Sequence, residues 1–109
     1  MEEDASKQQH ENFIIVGIKR KKNYWVSGFC GSYKFKAKVY DKGSKYGIYG
    51  GRVSKLKIWG TIDPTKKSGV VNYDCGWEIK PSDEDNSAVF STILFTLEQL
   101  PPLISDNEA

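Results

Sequence analysis

Histidine is almost absent from this chain: of 109 residues only His10 carries an imidazole, and it stands ahead of the first apolar run. A histidine-assisted nucleophile or a histidine-based metal centre therefore lacks its central residue. Cysteine is scarce too. Cys30 and Cys75 lie far apart with no histidine beside them, which makes a poor zinc site, and with no export signal they are expected to be reduced, buried thiols. Long hydrophobic runs are missing as well. The longest is Phe13 to Val16, far short of the ~18 residues that span a bilayer. Residues 1–11 are acidic and polar with no signal-peptide core, so no membrane association and a cytoplasmic location are expected. Glycine-rich phosphate loops are also lacking, because Gly47, Gly50 and Gly51 are not followed by Lys-Ser/Thr and do not join a strand to a helix. The expectation is a protein without enzymatic activity, cofactor or metal.

What is present is a basic body between acidic ends. Residues 12–81 hold 15 Lys and Arg against 4 acids, residues 1–11 one Lys against four acids, and residues 82–109 no base against six acids. The net charge of +2 conceals that distribution. Such a body attracts phosphates or an acidic protein, unless the lysines serve only as a solubilising coat.

Hydrophobic periodicity organises the body into one domain, residues 12–101, between a disordered lead-in at 1–11 and a short tail at 102–109. Strands are expected at Phe13–Ile18, Tyr24–Cys30, Tyr33–Tyr40, about Arg52–Thr61 and Val70–Ile79. Gly31-Ser32 suits a tight hairpin, the glycine-dense stretch Asp41–Gly51 reads as a loop or bulged bend, and Asp63–Gly69 reverses the chain. Tyr33, Phe35, Ala37 and Val39 alternate with Lys34, Lys36, Lys38 and Tyr40, so one face is core and the other a lysine ladder. On the fifth strand Val71, Tyr73, Cys75, Trp77 and Ile79 share one face and Asn72, Asp74, Gly76 and Glu78 the other. Asp74 and Glu78 then stand ~13 Å apart, too far for a carboxylate pair. After Pro81, Ser82 is the expected N-cap of a helix whose stripe is Val89, Phe90, Ile93, Leu94, Leu97 and Leu100. The fold class is α+β, an antiparallel β-meander of about five strands packed against one C-terminal helix.

Two segments are less generic: Gly50-Gly51-Arg52-Val53-Ser54-Lys55-Leu56, and Tyr73-Asp74-Cys75-Gly76-Trp77-Glu78 some twenty residues later. They resemble a family of short uncharacterised proteins from phages and mobile elements of Gram-positive bacteria, whose pattern is Gly-Gly-Arg-(Ile/Val)-Ser-Lys-Leu followed by Tyr-Asp-Arg-Gly-Trp-Asp. Cys75 stands where that pattern has arginine and Glu78 where it has aspartate. The resemblance spans about residues 24–100 and implies an accessory-protein setting rather than an activity.

Two functional expectations follow. The first is a non-enzymatic protein that binds or sequesters a host component, a counter-defence factor, through Tyr49, Arg52, Lys55, Lys57, Trp59, Tyr73, Asp74 and Trp77. Within that set Arg52, Tyr73, Asp74 and Trp77 line a small pocket, unless Tyr73 and Trp77 are core and Arg52 pairs with Asp74. The second is a nucleic-acid-binding protein using Lys34, Lys36, Lys38, Tyr40, Lys55, Lys57 and Trp59, where lysines meet phosphates and rings stack on bases, unless Asp74 and Glu78 merely pair with Lys55 and Lys57 across strands. Expected partners are a host protein or an anionic ligand, nucleotide or nucleic acid. A third reading is a homo-oligomer assembled through an exposed edge strand.

Overall fold

The computed structural model describes residues 14–60 and 69–102. Expectations placed on the lead-in, on Phe13, on most of the turn at 63–69 and on the tail beyond Pro102 lie outside the described residues. Six strands follow one another: β1 Ile15–Arg20, β2 Trp25–Cys30, β3 Tyr33–Val39, β4 Val53–Gly60, β5 Val71–Asp74 and β6 Trp77–Ile79. Among the described residues one α-helix, α1 Glu84–Glu98, follows them. Each strand pairs antiparallel with the next, so the sheet order equals the chain order and the fold is an α+β meander.

The hairpin at Gly31-Ser32 sets the register on which the rest is built. Gly31 takes a φ of 60°, a left-handed conformation open to glycine, so Cys30 faces Tyr33 and every later pair follows up to Trp25 opposite Lys38. The alternation of β3 then decides the faces. Phe35, Ala37 and Val39 are buried, whereas Lys34, Lys36 and Lys38 lie on the opposite side. In β4 a bulge between the Lys38–Lys55 and Val39–Val53 pairs lets Val53, Ser54 and Leu56 all be buried while Lys55 keeps to the outer face.

The expected fifth strand is two strands. Asp74 N–H donates to Gly76 O at 2.8 Å, Cys75 takes a φ of 57°, and Tyr73 comes opposite Trp77. Cys75-Gly76 is thus a reversal inside what reads as one alternating run, because glycine after a residue that enters the left-handed region makes a turn at little cost. Asp74 and Glu78 accordingly belong to different strands. Cys75 is exposed, contrary to the expectation of two buried thiols, while Cys30 is buried.

Helix α1 covers the inner face. Val89, Phe90, Ile93 and Leu97 are buried against Phe35, Leu56, Ile58 and Val71, each fully buried aliphatic contributing about 1.5–3 kcal/mol. Trp77 stands between Tyr73 and Phe90 with ring centroids at 5.1 and 5.4 Å, in edge-to-face contacts that tie β5 and β6 to the helix. The N-cap is Asp83, one residue after the expected Ser82: its carboxylate accepts from Asn86 N–H at 2.8 Å, and Glu84 and Asp85 occupy the first turn. Leu94 and Leu100 lie at the rim of the core. Among the described residues no helix is long and apolar enough to cross a membrane.

The two thiols differ enough to be told apart chemically. Burial pushes the Cys30 thiol up, away from its reactive thiolate, whereas Cys75 is open to solvent. A disulfide-exchange dye is expected to titrate one thiol quickly in the native protein, Cys75, and the second only after denaturant is added; two fast thiols would refute this placement of Cys30.

Candidate ligand-binding face

The structure separates the singled-out residues into a latch, a core cluster and an open face. Arg52 forms the latch. Its side chain donates to Tyr40 O at 2.8 Å, to Glu98 O at 2.9 Å and to Leu100 O at 2.7 Å, while its backbone N–H donates to the Glu98 carboxylate at 2.8 Å. The last carbonyls of a helix have no intrahelical partner, and here a planar guanidinium meets the final one, that of Glu98, together with Leu100 O just beyond the helix and Tyr40 O just past β3. A Cβ on Gly51 would displace the Glu98 carboxylate that accepts from Arg52 N–H. Arg20 adds a second grip by donating to Pro101 O at 2.6 Å.

Tyr73 and Trp77 lie in the core. Tyr73 is buried and its hydroxyl donates to Tyr46 O at 2.9 Å. Asp74 sits on the other side of the sheet in an ion pair with Lys55, its cross-strand neighbour. Arg52, Tyr73, Asp74 and Trp77 are therefore not gathered into a pocket, and Arg52 does not pair with Asp74. The Asp74 carboxylate, chiefly through its hydrogen bond, raises the Lys55 pKa, so this lysine stays cationic at neutral pH. Tyr49 stands apart in the loop before β4, 80% exposed with a φ of 55°.

The remaining residues meet on the face of the sheet that α1 leaves uncovered. Pairing lays them in rows across the strands: Phe29, Lys34 and Trp59; Ser27, Lys36, Lys57 and Asn72; Trp25, Lys38, Lys55 and Asp74. Rows are ~6.7 Å apart along the strands and neighbours within a row ~4.8 Å. Most of the lysines lie over rings. Lys36 Nζ is 4.8 Å from the Trp25 centroid, Lys38 is 5.5 Å from Trp25 and 5.6 Å from Tyr40, Lys34 is 5.9 Å from Phe29 and 5.7 Å from Trp59, and Lys57 is 5.9 Å from Trp59. Tyr24 packs on Tyr40 at 5.1 Å and extends the aromatic surface past the end of β3. A cleft of about 170 Å³ opens here between Trp25 and the Asn72–Asp74 side.

Lys34, Lys36, Lys38, Tyr40, Lys55, Lys57 and Trp59 are thus brought together. With Val16 beside Phe29 and Lys19 beside Ser27, β1 extends the face. Trp25, Phe29 and Tyr24 also belong to it, although sequence reasoning left them out. Their signal was present: a two-residue hairpin after Cys30 places Trp25 opposite Lys38 and Phe29 opposite Lys34.

Residues 24–98 match the profile of a domain of unknown function, DUF7678. The chain belongs to that family. The matched segment runs from the turn before β2 to the end of α1, and so contains Arg52 with its Tyr40 and Glu98 partners and the open face from β2 to β6, with β1 ahead of it. No curated protein and no solved structure matches the chain.

The latch is expected to carry stability. Arg52→Ala should lower the unfolding free energy by about 2–3 kcal/mol, and Arg52→Lys should recover little of it, because one ammonium cannot serve three carbonyls in the geometry of a fork. Urea denaturation monitored by tryptophan fluorescence measures both; a loss in Arg52→Ala within ~0.5 kcal/mol would remove the latch from the account.

Proposed function

We propose that the protein binds single-stranded nucleic acid on the open face of its sheet, without catalysis. The carrying observation is the interleaving of Lys34, Lys36, Lys38 and Lys57 with Trp25, Phe29, Tyr40 and Trp59 on one uncovered surface. Lysines lying over rings are partly held in place at a gain of only about 0.5–1 kcal/mol each at exposed sites. Moving an ammonium from a ring to a phosphate frees the ring for a base, and stacking returns about 1–3 kcal/mol per base. Cations and aromatics in register with one another suit a ligand that alternates anionic backbone and flat rings. A duplex offers no such surface, since its major groove, ~12 Å wide, admits a helix or a two-stranded ribbon rather than a six-stranded sheet.

The test is fluorescence anisotropy with single-stranded DNA, single-stranded RNA and duplex at ~50 and ~200 mM salt. Single strands of one or both kinds are expected to bind better than duplex, and affinity to fall roughly 50-fold across that range, corresponding to about four phosphate contacts. Lys36→Ala or Lys57→Ala should reduce the salt slope by about 0.7 each, and Trp25→Ala or Trp59→Ala should weaken binding by about 1–3 kcal/mol. Binding that ignores salt, or no binding to any single strand, rejects the proposal.

A second reading, occupation of a host protein in the phage or mobile-element setting implied by the motif resemblance, is favoured by Tyr49. A non-glycine residue with a φ of 55° costs about 1–2 kcal/mol, and this ring, 80% exposed, recovers little of that inside its own chain. Tyr49→Gly is then expected to stabilise the isolated protein by about 0.5 kcal/mol while weakening its contact with a protein partner. A destabilised Tyr49→Gly variant would mean that the ring serves the fold.

A further inference from the structure

At the β5 side of the open face the lysines give way to groups that accept hydrogen bonds. Asn72 donates through Nδ2 to Glu78 Oε1 at 3.1 Å, which leaves Oδ1 to accept and the second amide hydrogen to donate. The Asp74 carboxylate stands one row away along β5. The far wall of the cleft, on β2, is Trp25, three strands from β5 or ~14 Å across the sheet. The cleft of about 170 Å³ lies within that span with Lys36 over the indole, so a base reaches the ring when that ammonium moves to a phosphate. Lys36, Lys55 and Lys57 line the cleft between the walls, where they can meet a phosphate.

We propose that this cleft takes a base whose exocyclic amino group neighbours an accepting ring nitrogen, adenine or cytosine, in preference to thymine or uracil. The inference rests on the reading of the face as a single-strand binding surface and adds selectivity to it. An amide offering one acceptor and one donor matches the amino group and ring nitrogen of adenine or cytosine. Thymine and uracil also offer a donor beside an acceptor, so the amide alone does not discriminate. The Glu78 carboxylate does. Held beside Asn72 and not engaged by Lys55 as Asp74 is, it attracts an amino group and repels the carbonyl oxygen that replaces it. Trp25 supplies stacking, which all bases share.

Oligo(dC) and oligo(dT) of about twelve nucleotides make the cleanest comparison, because they are both pyrimidines and differ at the position that carboxylate would read. Measured by anisotropy on the full chain, oligo(dC) is expected to bind on the order of five-fold tighter. In Glu78→Gln, which keeps an oxygen for Asn72 but removes the charge, the two affinities should come within about two-fold, whereas Asn72→Ala should weaken both, a split that a merely structural role for Glu78 would not produce. Equal affinities in the unsubstituted protein, or a preference that survives Glu78→Gln, overturn the selective cleft and leave the binding face standing. Failure to bind either oligonucleotide removes both.

Discussion

A single helix can cover only one side of a sheet, and that constraint organises this molecule. Six strands span ~24 Å from edge to edge, while the 15 residues of α1 reach ~22 Å. Covering one face consumes the whole helix. Everything apolar that must leave water is therefore directed to that side, and the alternation of β3 shows the strictness of the division. The latch at Arg52 follows from the same constraint. A guanidinium that meets carbonyls of the sheet side and of the helix end ties the C-terminal end of α1 down without adding apolar surface.

The uncovered face has to remain soluble while displaying tryptophans, a phenylalanine and tyrosines. Lysine solves this in two ways at once. Its stem shields the ring beneath it, while its ammonium stays hydrated and repels another copy of the same face. Each ring is thereby screened without being buried, which differs from the inner face, where Tyr73, Trp77 and Phe90 are packed against one another. The same residue classes serve two ends, and their contacts separate the uses: rings against rings hold the fold, rings under ammonium groups lie open to a ligand.

Much of the fold was legible in the sequence because it depended on short-range patterns. The two-residue turn at Gly31-Ser32, the alternation from Tyr33 to Val39 and the apolar stripe of the helix are local, and each appears in the structure. The hairpin at Cys75-Gly76 was not, since a run that alternates through a turn presents the same pattern as a longer strand. Arg52 was misjudged for a different reason. Its partners are main-chain carbonyls at Tyr40, Glu98 and Leu100, which leave no side-chain signature, so a pairing with Asp74 looked as reasonable. Of the candidate face, the lysines on β3 and β4 were readable strand by strand. Trp25 and Phe29 needed register between strands, a property of pairs rather than of any one segment.

The position of the acidic groups bears on whether such a face can attract an anion in a chain of net charge only +2. Asp83 and Asp85, after burial the next causes of the raised Tyr33 pKa, mark the helix N-terminus as an acidic site on the inner layer. Layers packed face to face are separated by ~10 Å, and at physiological salt the screening length is ~8 Å. Charges on α1 are therefore felt weakly beyond the sheet, and an anion approaching the open face meets the lysines first. Among the described residues Asp74 and Glu78 stand on that face, both toward the β5–β6 edge, with Asp74 neutralised by Lys55. The field thus favours an anionic backbone over β2 to β4 and discourages it toward β5. That gradient gives the surface a direction: phosphates over the lysine rows, and toward the acidic edge whatever part of the ligand is uncharged and rich in donors.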